Sequence, residues 1–144
     1  MTRRPRGDDG TVLVLVIGFT MVLALMVGVV VNVSAAALAR RAVASAADGA
    51  AVAAAQALDT EQLYARGLSG QRLPLSLAGA QQRVAAYGQQ VAPSQPGLGL
   101  SVTVDGGTAS VVAVREVRLP FSRLLGLQPL RVEATARARS PVVP

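Results

Sequence analysis

Few residue types in this chain could do chemistry. It has no histidine and no cysteine, so a general base would have to be one of Asp48, Asp59, Glu61, Asp105, Glu116 and Glu133. Thiolate nucleophiles, disulfides and thiolate metal sites are excluded together. No two of the carboxylates stand in a recognisable catalytic pattern; each reads more simply as a solvated surface acid, and Asp48 could pair with a nearby arginine or a neighbouring subunit. Neither a metal-ligand spacing nor a Walker A sequence occurs, so the chain reads as neither an enzyme nor the ATPase of a larger machine, and no cofactor is expected. The remaining chemistry is cationic. All fourteen basic residues are arginine and the net charge is +6. Three groups stand out: Arg3, Arg4 and Arg6 near the start, Arg40 and Arg41 in a helical stretch, and Arg131, Arg137 and Arg139 on the polar side of an alternating segment, where Glu133 dilutes them. A solvated face is the preferred reading of the last group, and an anionic partner (lipid, envelope polymer or DNA) is the alternative. The scatter of the arginines over the chain argues against nucleic acid.

The element that gives the first two groups their meaning is the run Thr11 to Val33, which holds no charged residue and only Thr11, Thr20 and Asn32 as polar ones. As a helix it would extend about 34 Å, enough to cross a bilayer. Its basic n-region and small residues near "VSAAALARR" also fit a secretory signal cleaved between Ala35 and Ala39, but the apolar run is longer than the usual h-region of about 7 to 15 residues. A retained single-pass anchor is the preferred reading. Three arginines before the span against two after it place the N-terminus in the cytoplasm and the C-terminal part outside. Arg40 and Arg41, about two turns beyond Val33, would then reach lipid phosphates from the outer face.

Beyond the span, Ser34 to Leu58 is more than half alanine, with no proline before Pro74. The membrane helix is expected to continue through it as one rod, with Gly49 as the weak point where a bend could form. Alanine offers little apolar area, so the rod is not expected to be the hydrophobic heart of a domain. It would either cover its own small domain or pack against sister or partner helices. Ala24 with Gly28 forms a small-xxx-small pair suited to helix packing in the membrane.

Asp59 to Leu75, broken by Gly67, Gly70 and Pro74, reads as a loop. Ser76 caps a second helix to Val91, with Leu77, Ala80, Val84 and Tyr87 at helical spacing. Strands follow at Leu98 to Val104, Thr108 to Leu119 and Leu130 to Ala138, the first two joined by a tight "DGG" turn. Val111 beside Val112 leaves two registers or a bulge open. A short helical turn is expected over Pro120 to Leu127. The last strand alternates cleanly, with Leu130, Val132, Ala134, Ala136 and Ala138 on one face. The expected class is thus a membrane-anchored α+β chain: a basic N-terminus (1–10), a transmembrane helix (11–33), an alanine-rich extension (34–58), and a small outer domain (59–144) with a second helix and an antiparallel sheet of about three strands.

Two stretches carry a resemblance. "VNVSAAALARRAVASAADGAAVAAA", Val31 to Ala55, resembles the "VDVS…LARR…AADAAALAAA" region of TadE/TadG-like proteins of tight-adherence (Flp) pilus systems, with Asn32 where Asp is common and "AADGAA" where "AADAAA" is common. The ending "RLPFSRLLGLQPLRVEATARAR" is similar to that family's strand, turn and final strand. The resemblance implies a pilin-like subunit or accessory factor of pilus assembly or related secretion, with other pilus proteins or further copies of itself as partners, and no catalytic residues. Members of the TadE and TadF type are cut ahead of a segment bearing Glu at the fifth mature position. This chain departs from that pattern: a cut after Gly18, in the prepilin-like "IGFTM", would put Leu23 there, a cut after Gly10 would put Leu15, and one after Gly7 would put Val12. Gly18 also lies in mid-span, away from the membrane face where such a junction is read, so an uncut N-terminus is expected.

Overall fold

The computed structural model describes residues 9–57, 76–105, 107–123 and 126–139. With no proline and an abundance of Ala, Leu and Val, the first stretch forms a single helix, α1, over Asp9–Ala55, 47 residues or about 70 Å long. It closes in a tighter turn, with Gln56 N–H donating to Ala53 C=O and Ala57 N–H to Ala54 C=O. Helix α2 spans Leu77–Val91, and the hydroxyl of Ser76 accepts from Gly79 N–H at 3.2 Å, the expected N-cap. Pro93 and Pro96 follow its last turn, and Gly97, at φ +76°, supplies the left-handed residue that directs the chain into the sheet.

The three strands β1 (Gly99–Asp105), β2 (Thr108–Val117) and β3 (Leu130–Arg139) form an antiparallel meander in the order β1-β2-β3. Asp105 pairs with Thr108 across the two-residue hairpin, and the ladder continues through Val102 opposite Val111 and Val111 opposite Ala136. The register is continuous, so neither the bulge nor the slip that Val111-Val112 left open occurs. Burial selects between the two valines: Val111 shares the inner face with Ala109 and Ala113, whereas Val112 lies on the outer one. On β3, Val132 and Ala136 are buried, and the arginines point to solvent as the alternation predicts.

Both helices cover the inner face, α1 chiefly over β3 and β2 and α2 over β1. The core is built from Ala39, Val43, Ala47, Ala50, Ala51 and Ala54 of α1, Ala80 and Val84 of α2, and Ala109, Val111, Ala113, Val132 and Ala136 of the sheet. This corrects the expectation that the alanine rod could not be the heart of a domain. The argument from area was sound for one helix alone; here the sheet's inner face is also small-sided, so the backbones approach closely and many short contacts replace a few long ones. Val43 and Val111 are the largest side chains that are fully buried. Of the residues at helical spacing on α2, Ala80 and Val84 are buried, whereas Leu77, on the first turn, is 49% exposed.

At Gly49 α1 is continuous, and a Cβ there would overlap Tyr87 Oη and lie 2.7 Å from Tyr87 Cζ, so the glycine admits the α2 aromatic ring. The helical turn expected over Pro120 to Leu127 falls partly on residues 124 and 125, outside the described ones; around them the chain turns with Ser122 N–H donating to Leu119 C=O and Leu127 N–H to Ser122 C=O at 2.8 Å, and Gly126 stands at φ +65°. The loop Asp59 to Leu75, Leu58, and the N-terminal Arg3, Arg4 and Arg6 lie outside the described residues.

Candidate functional site

The apolar run of α1 contributes almost nothing to the core. Every Val, Leu, Ile, Met and Phe from Val12 to Val33 is exposed, and within residues 10–34 only Gly28 and Asn32 are buried. The helix is long and apolar enough to cross a membrane, and its most apolar window lies wholly outside the protein core. A core helix of a soluble domain would be mostly covered; an uncovered apolar cylinder of this length requires lipid or other apolar helices around it.

Gly28 and Asn32 sit one turn apart on the face of α1 that continues through Ala39, Val43 and Ala46 into the core. Here the β2–β3 connection docks on the helix through Phe121. Asn32 Oδ1 accepts from Phe121 N–H at 3.0 Å, and a Cβ on Gly28 would meet the Phe121 ring at 4.0 Å. Asn32 is only 5% exposed, and its Nδ2 has no partner. The folded part of the chain therefore does not begin where the apolar run ends; through Phe121 it grips the last turn and a half of that run. Sequence reading missed this junction. A lone Asn in an apolar run was the available signal, since a buried amide demands a partner, but its partner lies 89 residues away.

The other sequence candidates disperse. Ala24, one turn below Gly28, is exposed, and Gly28 is covered by Phe121 of its own chain. Arg40 and Arg41 project from α1 into solvent beyond the junction. Arg131, Arg137 and Arg139 share the wet face of β3 but do not form one patch. Arg131 lies opposite Glu116 at the end of the sheet near the junction, whereas Arg137 and Arg139 lie opposite Ser110 and Thr108 at the far end, about 20 Å away. Asp48 and Glu133 are exposed and isolated from one another on α1 and β3. Among the described residues no three His, Cys, Asp or Glu side chains gather into a metal-holding group. An open depression between α2 and β1, lined by Gln81, Val84, Gly88, Leu98, Leu100 and Val102, carries no ionisable group.

Among curated proteins and among solved structures, nothing matches the chain. A family model does match, over residues 10–57, which is α1 with its closing turn and one third of the sequence. The helix that bears the exposed apolar run, the Asn32 junction and the alanine face is the part of the chain that matches, and the model is that of the Tad family, described as "Putative Flp pilus-assembly TadE/G-like".

Proposed function

We propose that this chain is a membrane-anchored, pilin-like subunit or accessory factor of Flp pilus assembly or a related secretion process, working without catalysis through helix packing and protein contacts. The observation that carries this reading is that one unbroken helix serves two environments: an exposed apolar half, and an alanine half that is the platform of the outer sheet. The family match falls on that helix. Such a chain couples a domain rigidly to the membrane plane. The surfaces left for partners are the apolar belt, deepest at Ala24, and the wet face of the sheet; Arg40 and Arg41 stand where lipid phosphates would meet them.

The junction also supports a retained N-terminus. Cleavage between Ala35 and Ala39 would remove Gly28 and Asn32, leaving Phe121 N–H without its acceptor. The test is the intact mass and N-terminal sequence of the protein from the membrane, sheared-filament and soluble fractions of its native host. A chain beginning at Met1 or Thr2 in the membrane fraction supports the anchored assembly factor. A chain beginning at Asp8, Thr11 or Phe19 in sheared filaments makes it a processed minor subunit of the filament. Release of a soluble chain beginning between Ala35 and Ala39 overturns the proposal.

A further inference from the structure

We infer that the described parts of the β2–β3 connection, residues 118–123 and 126–129, form a second membrane contact: Phe121 and Leu127 enter the outer boundary of the bilayer, with Arg118 and Arg123 at the level of the lipid phosphates. The inference rests on the reading of α1 as a retained span and adds to it a lipid site in the outer domain.

The first observation is one of depth. Phe121 is hydrogen-bonded to Asn32 and packed over Gly28, and both residues belong to the apolar run. From Thr11 to Asn32 a helix rises about 32 Å, close to the roughly 30 Å thickness of a hydrocarbon core. When Thr11 stands at the inner boundary, Asn32 stands at the outer one, and the connection docked on it lies at the same height. A domain that began beyond Val33 would clear the lipid; this one reaches below it.

The second observation is composition. Away from α1, the described residues include only three large exposed apolar side chains, Leu77, Phe121 and Leu127. Two of the three fall in this connection. Phe121 is 36% and Leu127 48% exposed, and at helical spacing the exposed Val29 and Val31 of α1 flank the face that carries Gly28 and Asn32. Arg118 and Arg123, both exposed, flank Phe121. An apolar tip bordered by arginines matches an interfacial lipid site, in which rings and aliphatic chains enter the acyl boundary and guanidinium groups bind phosphate. The opposite end of the sheet, at Asp105 and Thr108, also carries arginines, Arg137 and Arg139, but among the described residues it has no large exposed apolar side chain beside them. Continuity with the apolar belt and the flanking positive charge favour anionic lipid as the occupant over another protein.

The absence of native cysteine allows a direct test on the full-length chain. Single variants Phe121→Cys, Leu127→Cys, Thr103→Cys and Leu25→Cys are labelled with an environment-sensitive fluorophore. Each is reconstituted at high dilution into phosphatidylcholine–phosphatidylglycerol vesicles carrying nitroxides at shallow or deep acyl positions. The expected result is a blue-shifted label at 121 and 127, quenched at least twofold more by shallow than by deep nitroxides. The label at 25 should be quenched most by deep nitroxides and the label at 103 only by aqueous iodide. Aqueous quenching at both 121 and 127 with lipid quenching at 25 overturns the inference and leaves the span intact. Aqueous quenching at 25 overturns both. A blue-shifted label at 121 and 127 that lipid nitroxides do not reach assigns the surface to a second copy of the chain, and the inference is again wrong.

Discussion

Asn32 holds together two parts of the chain with opposite solvent requirements. Its Oδ1 takes the N–H of Phe121, a backbone donor that has no other partner once the turn presses on α1. A donor stranded at an apolar boundary costs about 1–3 kcal/mol, so Asn32→Ala should loosen the connection by roughly that amount. Hydrogen exchange on the detergent-solubilised protein checks this: the amides of Phe121 and Ser122 should exchange at least tenfold faster, while those of β2 facing β3 stay protected. Equal loss of protection through the sheet would show that Asn32 supports the whole fold. Unchanged protection at Phe121 would show that the bond contributes nothing. Gly49 makes a comparable case. Replacing a helix-interior glycine with alanine normally stabilises by about 1 kcal/mol, but here the new Cβ would strike the Tyr87 ring. Gly49→Ala should therefore gain nothing or lose up to about 2 kcal/mol in chemical denaturation, and the same change made on Tyr87→Leu should stabilise. Stabilisation by Gly49→Ala in the native background would mean that the ring moves aside without cost.

At the scale of elements, the alanine face of α1 is the feature on which the sheet depends. Ala50 is fully buried, and the facing strands offer Ala and Val, so a larger side chain has no space to enter. Ala50→Leu adds apolar area yet should destabilise the outer domain by about 1–3 kcal/mol, read as a lowered urea midpoint. A raised midpoint would mean the interface is loosely packed. The same face shows what could be read from the sequence and what could not. The strands, the Ser76 cap and the hairpin were legible because each is written in local periodicity or turn chemistry, as the alternation from Leu130 to Ala138 illustrates. The role of the alanines was not, because small residues pack well only against other small residues, and whether Ala47 and Ala50 meet Ala109 and Ala113 or a partner helix is a tertiary fact. The exposure of Leu77 shows the same limit: helical spacing names a face but not how far along the helix the contact extends. Of the candidate site, the apolar span was evident from composition, whereas the grip of Phe121 on Gly28 and Asn32 joins parts of the chain too distant for any periodic signal.

For the whole molecule, the common direction of α1 and β3 settles which parts must share a side of the membrane. Both run away from the Asn32 junction, and α2 returns along α1, with its end tied back by Gln95 Nε2 to Ala42 C=O at 3.4 Å. The sheet therefore stands beyond the C-terminal end of the apolar run, on the side of Arg40 and Arg41. On the proposed retained span, the orientation rests on charge count. Three arginines before the run against two after it favour an inner N-terminus, and a folded platform on the C-terminal side makes inversion an all-or-none matter. Ser101→Cys, on the wet face of β1, should react with a membrane-impermeant maleimide in intact spheroplasts, whereas Thr2→Cys should react only after lysis. Replacing Arg3, Arg4 and Arg6 by serine removes the bias, so a measurable fraction of Ser101→Cys chains should become protected until lysis. Protection of Ser101→Cys in the otherwise native chain would reverse the orientation. It would also place Arg40, Arg41 and the 118–129 connection on the cytoplasmic leaflet, where the lipid contact would have the same chemistry on the opposite face.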